Sequence, residues 1–167
     1  MFVFWSHGGS SNQGNQSSIK EGPWGGPGGT IWSYEPNGGI VEIIIKHGSI
    51  IDSLSFKSAG ANKEAESSSN FGGQGGSKTH ISIDWPREYL MSISGTVGKF
   101  GTVESCVESL TFYTNWHTHG PFGSSKGTHF SLPVENRVIV GFYGRAHDYM
   151  DAIGVYQRQL LQSKNNL

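Results

Sequence analysis

The sequence predicts an all-β chain built from three copies of one small antiparallel unit around a shared core. Apolar residues recur with period two, or in short runs rich in Val, Ile, Phe and Tyr, and no segment sustains a 3.6-residue repeat. Glycine supplies 25 of 167 residues, roughly twice the usual share of about 7%, and it clusters with Pro, Asn and Ser between the apolar runs. One pattern also returns along the chain. Ile51-Asp52-Ser53-Leu54-Ser55-Phe56-Lys57-Ser58 aligns with Val107-Glu108-Ser109-Leu110-Thr111-Phe112-Tyr113-Thr114. Both align more loosely with Met150-Asp151-Ala152-Ile153-Gly154-Val155-Tyr156-Gln157. The shared order is apolar, acid, small, aliphatic, small, apolar. A second repeat pairs Thr79–Ile83 with Thr128–Leu132. Repeats of this kind suggest a pseudo-threefold assembly of small sheets.

In chain order, residues 1–20 are mostly Ser, Gly, Asn and Gln beyond Met1–Trp5, and read as a flexible extension. The folded domain is expected over 21–159, with 160–167 as a frayed tail. Within the domain, Ile40–Lys46 and Arg137–Phe142 are short apolar runs. Leu54–Lys57, His80–Asp84, Leu110–Thr114, His129–Leu132 and Ile153–Gln157 alternate. All seven are bounded by turn-forming residues, as strands are. Val103–Val107 also reads as strand. Glycine clusters at Gly25-Gly26-Pro27-Gly28-Gly29 and Gly72-Gly73-Gln74-Gly75-Gly76 precede related strands, and Gly120-Pro121-Phe122-Gly123 is a degenerate counterpart. Each copy then places one acid at a strand start, Asp52, Glu108 or Asp151, with a glycine turn near it.

Composition excludes several classes. The longest apolar run is Met1–Trp5, far short of the roughly 20 residues that cross a bilayer. Twelve basic against thirteen acidic residues give a net charge of −1, which argues against nucleic acid or an anionic membrane as main partner. A single cysteine, Cys106, forms no internal disulfide and reads as a small buried hydrophobe. Met1–Trp5 is too short for a signal-peptide core, so a cytoplasmic or nucleocytoplasmic chain is expected, and the sequon at Asn15-Gln16-Ser17 has no role there. No Gly-Lys-Ser/Thr phosphate loop follows any glycine cluster. His117 and His119 are two imidazoles at i, i+2 without a third ligand in the sequence, so they are expected to be surface residues, with no metal or other cofactor. Trp24, Trp32, Trp85 and Trp116 are expected to be packed or interfacial.

Several motifs resemble the jacalin-related lectins of plants: GPWGGPGGTIW (Gly22–Trp32), SLTFYTN (Ser109–Asn115), HGPFG (His119–Gly123), FSLPVENRVIVGFYGR (Phe130–Arg145) and DYMDAIGVY (Asp148–Tyr156). The resemblance covers Gly22 to about Tyr156. It implies a β-prism of three four-stranded Greek-key sheets with pseudo-threefold symmetry. It also implies a homo-oligomer (dimer or tetramer) and a metal-independent sugar site at one end of the prism. The family's site loop falls on Gly144–Asp148, followed by Tyr149, Met150 and Asp151, and its site glycine falls on Gly29. A sugar needs acceptors, donors and a close wall. Asp151 supplies a carboxylate able to take two hydroxyls. The N–H groups of Asp148 and Tyr149 supply donors, and Gly29 lets backbone approach without a Cβ. Tyr149 and Met150 offer apolar contact. Backbone donors are expected to hold the Asp151 pKa below its ordinary value of about 3.9. An unbroken Pro27-Gly28-Gly29, and Asp148 where the galactose branch tends to carry an aromatic, imply mannose- or glucose-containing glycans as partners. A candidate second site comprises Ser49, Ile50, Asp52, Gly75 and Gly76; Glu108 is expected to form no third.

Other readings compete. An acid at a strand start most often caps a turn; the matched loop moves Asp151 toward ligand binding, leaves Asp52 balanced and leaves Glu108 a turn residue. A glycosidase needs two carboxylates in one cleft, about 5–9.5 Å apart, and Asp148 and Asp151 share one loop rich in donors. A protein-interaction module with a vestigial sugar site and a galactose-preferring lectin are the alternatives. The expected function is a lectin without catalysis.

Overall fold

Thirteen strands and no helix make up residues 17–161, the part of the chain that the computed structural model describes. In order they are β1 (Ile19–Gly25), β2 (Thr30–Tyr34), β3 (Ile40–His47), β4 (Ile51–Ala59), β5 (Ala65–Ser67), β6 (Phe71–Gly72), β7 (Ser77–Ser82), β8 (Leu90–Phe100), β9 (Val103–Thr114), β10 (Thr118–Gly123), β11 (Thr128–Ser131), β12 (Arg137–Ala146) and β13 (Met150–Gln159). They form three antiparallel sheets, ordered β1-β13-β12-β2, β5-β4-β3-β7 with β6 also on β4, and β10-β9-β8-β11. Each is a hairpin flanked by outer strands. The hairpin β12–β13 takes its flanks from the other end of the sequence, so the first sheet closes only when both ends of the domain meet.

The three expected sheets are present, and one departs from four strands. The outer strand beside β4 is broken into β5 and β6. At the break Ser68 serves the β4 backbone: its Oγ accepts from Phe56 N at 2.9 Å and its own N donates to Phe56 O at 2.8 Å.

The core is where the sheets meet. Phe56, Phe112 and Phe142, one from each sheet, are essentially unexposed, and Phe142 stacks on Phe56 at 4.9 Å and meets Phe112 edge-on at 6.2 Å. Cross-strand partners show how diverged copies fill one volume. Ile43 faces Phe56 and Ile93 faces Phe112, whereas in the first sheet Phe142 faces Val155. The aromatic has changed strands but the pair keeps one aromatic and one β-branched residue. A second layer follows the same logic. Trp32 lies over Gly144 and Phe130 over Gly95, while the third copy pairs small Thr79 with large Ile45.

Several boundaries differ from those expected. Ile19 and Lys20 belong to β1 and not to a flexible extension, because they pair with Gln157 and Tyr156 and Lys20 Nζ sits 4.9 Å from the Tyr143 ring. Leu160 is buried and its N–H donates to Asn136 O at 3.0 Å, so the tail starts after it. The rest of the expected extension and tail, residues 1–16 and 162–167, lies outside the described residues. The repeat pairing Thr79 with Thr128 is out by two positions: Thr128 faces Val97 as Ser77 faces His47. A slip of two keeps every side chain on its face, so period-two patterning does not expose it.

Phe142 joins all three sheets, so Phe142→Ala is expected to cost about 3–5 kcal/mol. Urea unfolding with an unchanged m-value checks this; a loss within experimental error would place the core elsewhere.

Candidate functional site

The turn of the β12–β13 hairpin runs from Ala146 to Met150 and that of β3–β4 from His47 to Ile51, with the same length and closure. His147 N donates to Tyr149 O at 3.1 Å, and Gly48 N to Ile50 O at 3.0 Å. These bonds leave the N–H groups of Asp148 and Tyr149, and of Ser49 and Ile50, without a hydrogen bond among the described residues. The acid follows one residue into the next strand, as Asp151 and as Asp52.

Against each acid lies a glycine turn. Gly26 N donates to Asp151 O at 2.8 Å and Gly73 N to Asp52 O at 3.0 Å, anchoring the turn to the strand. Two further glycines then lie against the carboxylate. A Cβ at Gly28 would fall 2.6 Å from Asp151 Oδ1, and one at Gly29 would fall 2.4 Å from Oδ2. At the second site the distances are 2.9 Å from Gly75 to Asp52 Oδ1 and 2.5 Å from Gly76 to Oδ2. Gly29 and Gly76 also take φ of +70° and +83°, a region that costs other residues. Arg145 holds the first turn from outside, Nε donating to Gly28 O at 3.0 Å and Nη2 to Gly29 O at 3.1 Å.

The first site opens into a pocket of about 490 Å³ whose wall includes Gly28 and His147, together with Thr30 and Val103, two residues the sequence did not single out. Asp148 and His147 stand in solvent, Tyr149 is half-buried, and Asp151 is 2% exposed. One expected site residue is corrected. Met150 is fully buried in the core, so its side chain cannot touch a ligand. Ile50 is 3% exposed and offers only its backbone N–H. The expected direction of the Asp151 pKa is also corrected. Burial pushes it up, Arg145 and His147 pull it back in part, and Asp148 adds to the rise. Burial likewise raises Asp52, opposed by His47 and Lys46. No loop N–H donates to the carboxylate among the described residues, so desolvation outweighs the pull of the nearby cations.

The third copy is built differently. Val97 and Val107 correspond to Ala146 and Met150 yet stand ten positions apart where the others stand four. Lys126 occupies the place of Gly28 and Gly75. Glu108, one methylene longer than Asp, reaches across: its Oε2 accepts from Gly127 N at 2.6 Å, Lys126 N at 3.1 Å and Thr96 Oγ1 at 2.8 Å. This acid has no free acceptor on that oxygen. The lengthened β8–β9 hairpin leans over the first site instead, with Val103 in the pocket wall and Phe100 edge-on to Tyr149 at 6.1 Å. Beneath the sites Cys106 is fully buried, and burial with the two nearby acids pushes its thiol up to about 11, so it is no nucleophile.

A carboxyl whose folded pKa is raised makes the native state the better proton binder. Stability therefore falls as pH rises from the unfolded value of about 3.9 through the folded one. Asp151→Asn is expected to raise the Tm of the ligand-free protein at neutral pH and flatten its acid dependence. A lower Tm on a melting scan would contradict the burial argument.

The arrangement has counterparts in known proteins. A family model of the Jacalin-like lectin domain matches residues 21–156. A mannose/glucose-specific lectin of Parkia pendula is 50% identical over 147 residues, which is 84% of this chain and 32% of that protein. The chain thus spans about a third of the length of the first curated relatives it matches. Horcolin of Hordeum vulgare is 39% identical over 141 residues, 83% of this chain and 95% of its own. Among solved structures, a mannose binding jacalin related lectin from Ananas comosus superposes with a TM-score of 0.78 at 38% identity, covering 85% of this chain and 98% of that one. A mannose-specific jacalin-related lectin from Morus nigra, solved in complex with mannose, gives 0.78 at 38% identity, covering 89% and 99%. Three sheets, two glycine-backed acids and a family match over residues 21–156 lead to one assignment: the chain belongs to the jacalin-like lectin domain family.

Proposed function

We propose that this domain binds mannose- or glucose-containing glycans at the Asp151 site, without a metal there and without catalysis. The observation that carries the reading is a desolvated carboxylate beside two unpaired N–H groups at the floor of an open pocket. Two hydroxyls of one sugar donate to the Asp151 oxygens, while the N–H groups of Asp148 and Tyr149 donate to ring and exocyclic oxygens. Bonds to a charged acceptor are the stronger kind, and here they also relieve a carboxylate that burial penalises. Gly28 and Gly29 keep that face open to a ring, and Val103 with the hairpin behind it gives the apolar wall. The mannose-directed names of the relatives support the same sugar class. A glycosidase reading has less support, because Asp148 stands in solvent and no second buried carboxylate lines the pocket among the described residues.

The geometry around Asp52 favours a second site of the same chemistry. Its glycine pair, loop closure and free donors repeat those of the first, with exposed Ser49 in place of Asp148 contributing its N–H. The domain then carries two independent sugar sites at one end of the prism, a geometry suited to crosslinking branched glycans.

Titration calorimetry with methyl α-mannoside tests this. A stoichiometry near two is expected, falling to near one in Asp52→Ala and in Asp151→Ala, unchanged by EDTA and absent with a galactoside. Losing a charged acceptor costs about 1.5–3 kcal/mol per hydrogen bond, and a sugar bound at about 1 mM has only about 4 kcal/mol to lose. Each variant should therefore silence its own site. No binding of either sugar would leave an interaction module on a vestigial site, and galactoside binding would reverse the specificity.

A further inference from the structure

At the other end of the prism, Glu88, His117 and His119 converge, and we infer that they form a zinc site. β9 runs twelve residues from Val103 beside the sugar pocket to Thr114, so the two places are separated by the length of the longest strand. Glu88 comes from the β7–β8 connection and its side chain is 3% exposed. Its Oε2 accepts from Thr114 Oγ1 at 2.6 Å and sits 2.8 Å from His117 Nδ1, while Oε1 accepts from Asp84 N at 3.0 Å. The carboxylate is therefore a fixed anchor. A second observation is independent of it: His119 Nε2 is buried and has no hydrogen-bond partner among the described residues. Buried polar atoms nearly always have one.

One ligand atom from each of the three residues lies within 4.8 Å of the others. Zinc holds N and O ligands tetrahedrally at about 2.0–2.2 Å, which sets them about 3.4 Å apart. His117, 60% exposed in the turn between β9 and β10, has the freedom to adjust to that spacing. Two imidazoles and one carboxylate suit zinc, whereas calcium and magnesium require oxygen ligands. The solvent side of His117 leaves a fourth position to water. The sequence showed no third group beside these two imidazoles because Glu88 is 29 positions upstream of His117 and only the fold brings it near.

The test is a zinc titration of the full chain by calorimetry, with calcium and magnesium as competitors. One zinc per chain is expected, undisplaced by millimolar calcium or magnesium. His117→Gln and His119→Ala should each weaken it at least about a hundredfold, the upper end of what losing a ligand's supporting partner costs. His117 is exposed, so its variant keeps the fold, which a melting curve verifies. Absence of zinc binding at millimolar concentration would overturn the site and leave His119 Nε2 to water. Equal binding by a chain carrying both His117→Gln and His119→Ala would overturn it too.

Discussion

Two consecutive glycines, Gly28 and Gly29, stand so near the Asp151 carboxylate that a Cβ on either would collide with an oxygen. That approach links the two ends of the domain, because the glycines follow β1 and the acid opens β13. The bond from Gly26 N to Asp151 O and the grip of Arg145 on the glycine carbonyls hold it in register. The same approach strips water from the carboxylate without returning a donor. A strained charge, open on one side, is what the fold maintains at neutral pH, and the pairing of first and last strands is what makes it affordable.

The threefold plan tolerates divergence because volume is conserved across strands and not position by position. Phe142 opposite Val155 replaces the Ile–Phe pairs of the other sheets, and glycines under Trp32 and Phe130 trade with Ile45 under Thr79. Tight interiors punish net changes in volume more than exchanges. Divergence also changed function between copies. Where Lys126 and the longer Glu108 stand, the acid is satisfied by the chain itself, and the six extra residues of its hairpin become a wall for the neighbouring site.

Legibility in the sequence followed the same division. The strands that alternate were readable, and so were Asp151, Asp52 and the glycine turns, because the acid returns inside an aligned motif and the glycine clusters precede related strands. β8 was not, since its buried positions hold Ser92, Ser94 and Thr96, which look polar until Leu132 O, Tyr113 Oη and Glu108 are seen to bond them. The Met150 side chain was placed beside the ligand because loop membership says nothing about facing. Val103 and Phe100 reach the first site from another copy, and Glu88 reaches His117 from another turn. Such neighbours leave no local trace.

The account rests on the Asp151 carboxylate being desolvated when free and hydrogen-bonded when the site is filled. Carbon-detected NMR titration of the Asp151 side chain, with and without saturating methyl α-mannoside, measures this directly. A pKa above the ordinary aspartate value in the free protein, falling when sugar donates to the carboxylate, is the predicted result. A value unmoved by sugar, or already depressed without it, would contradict the account.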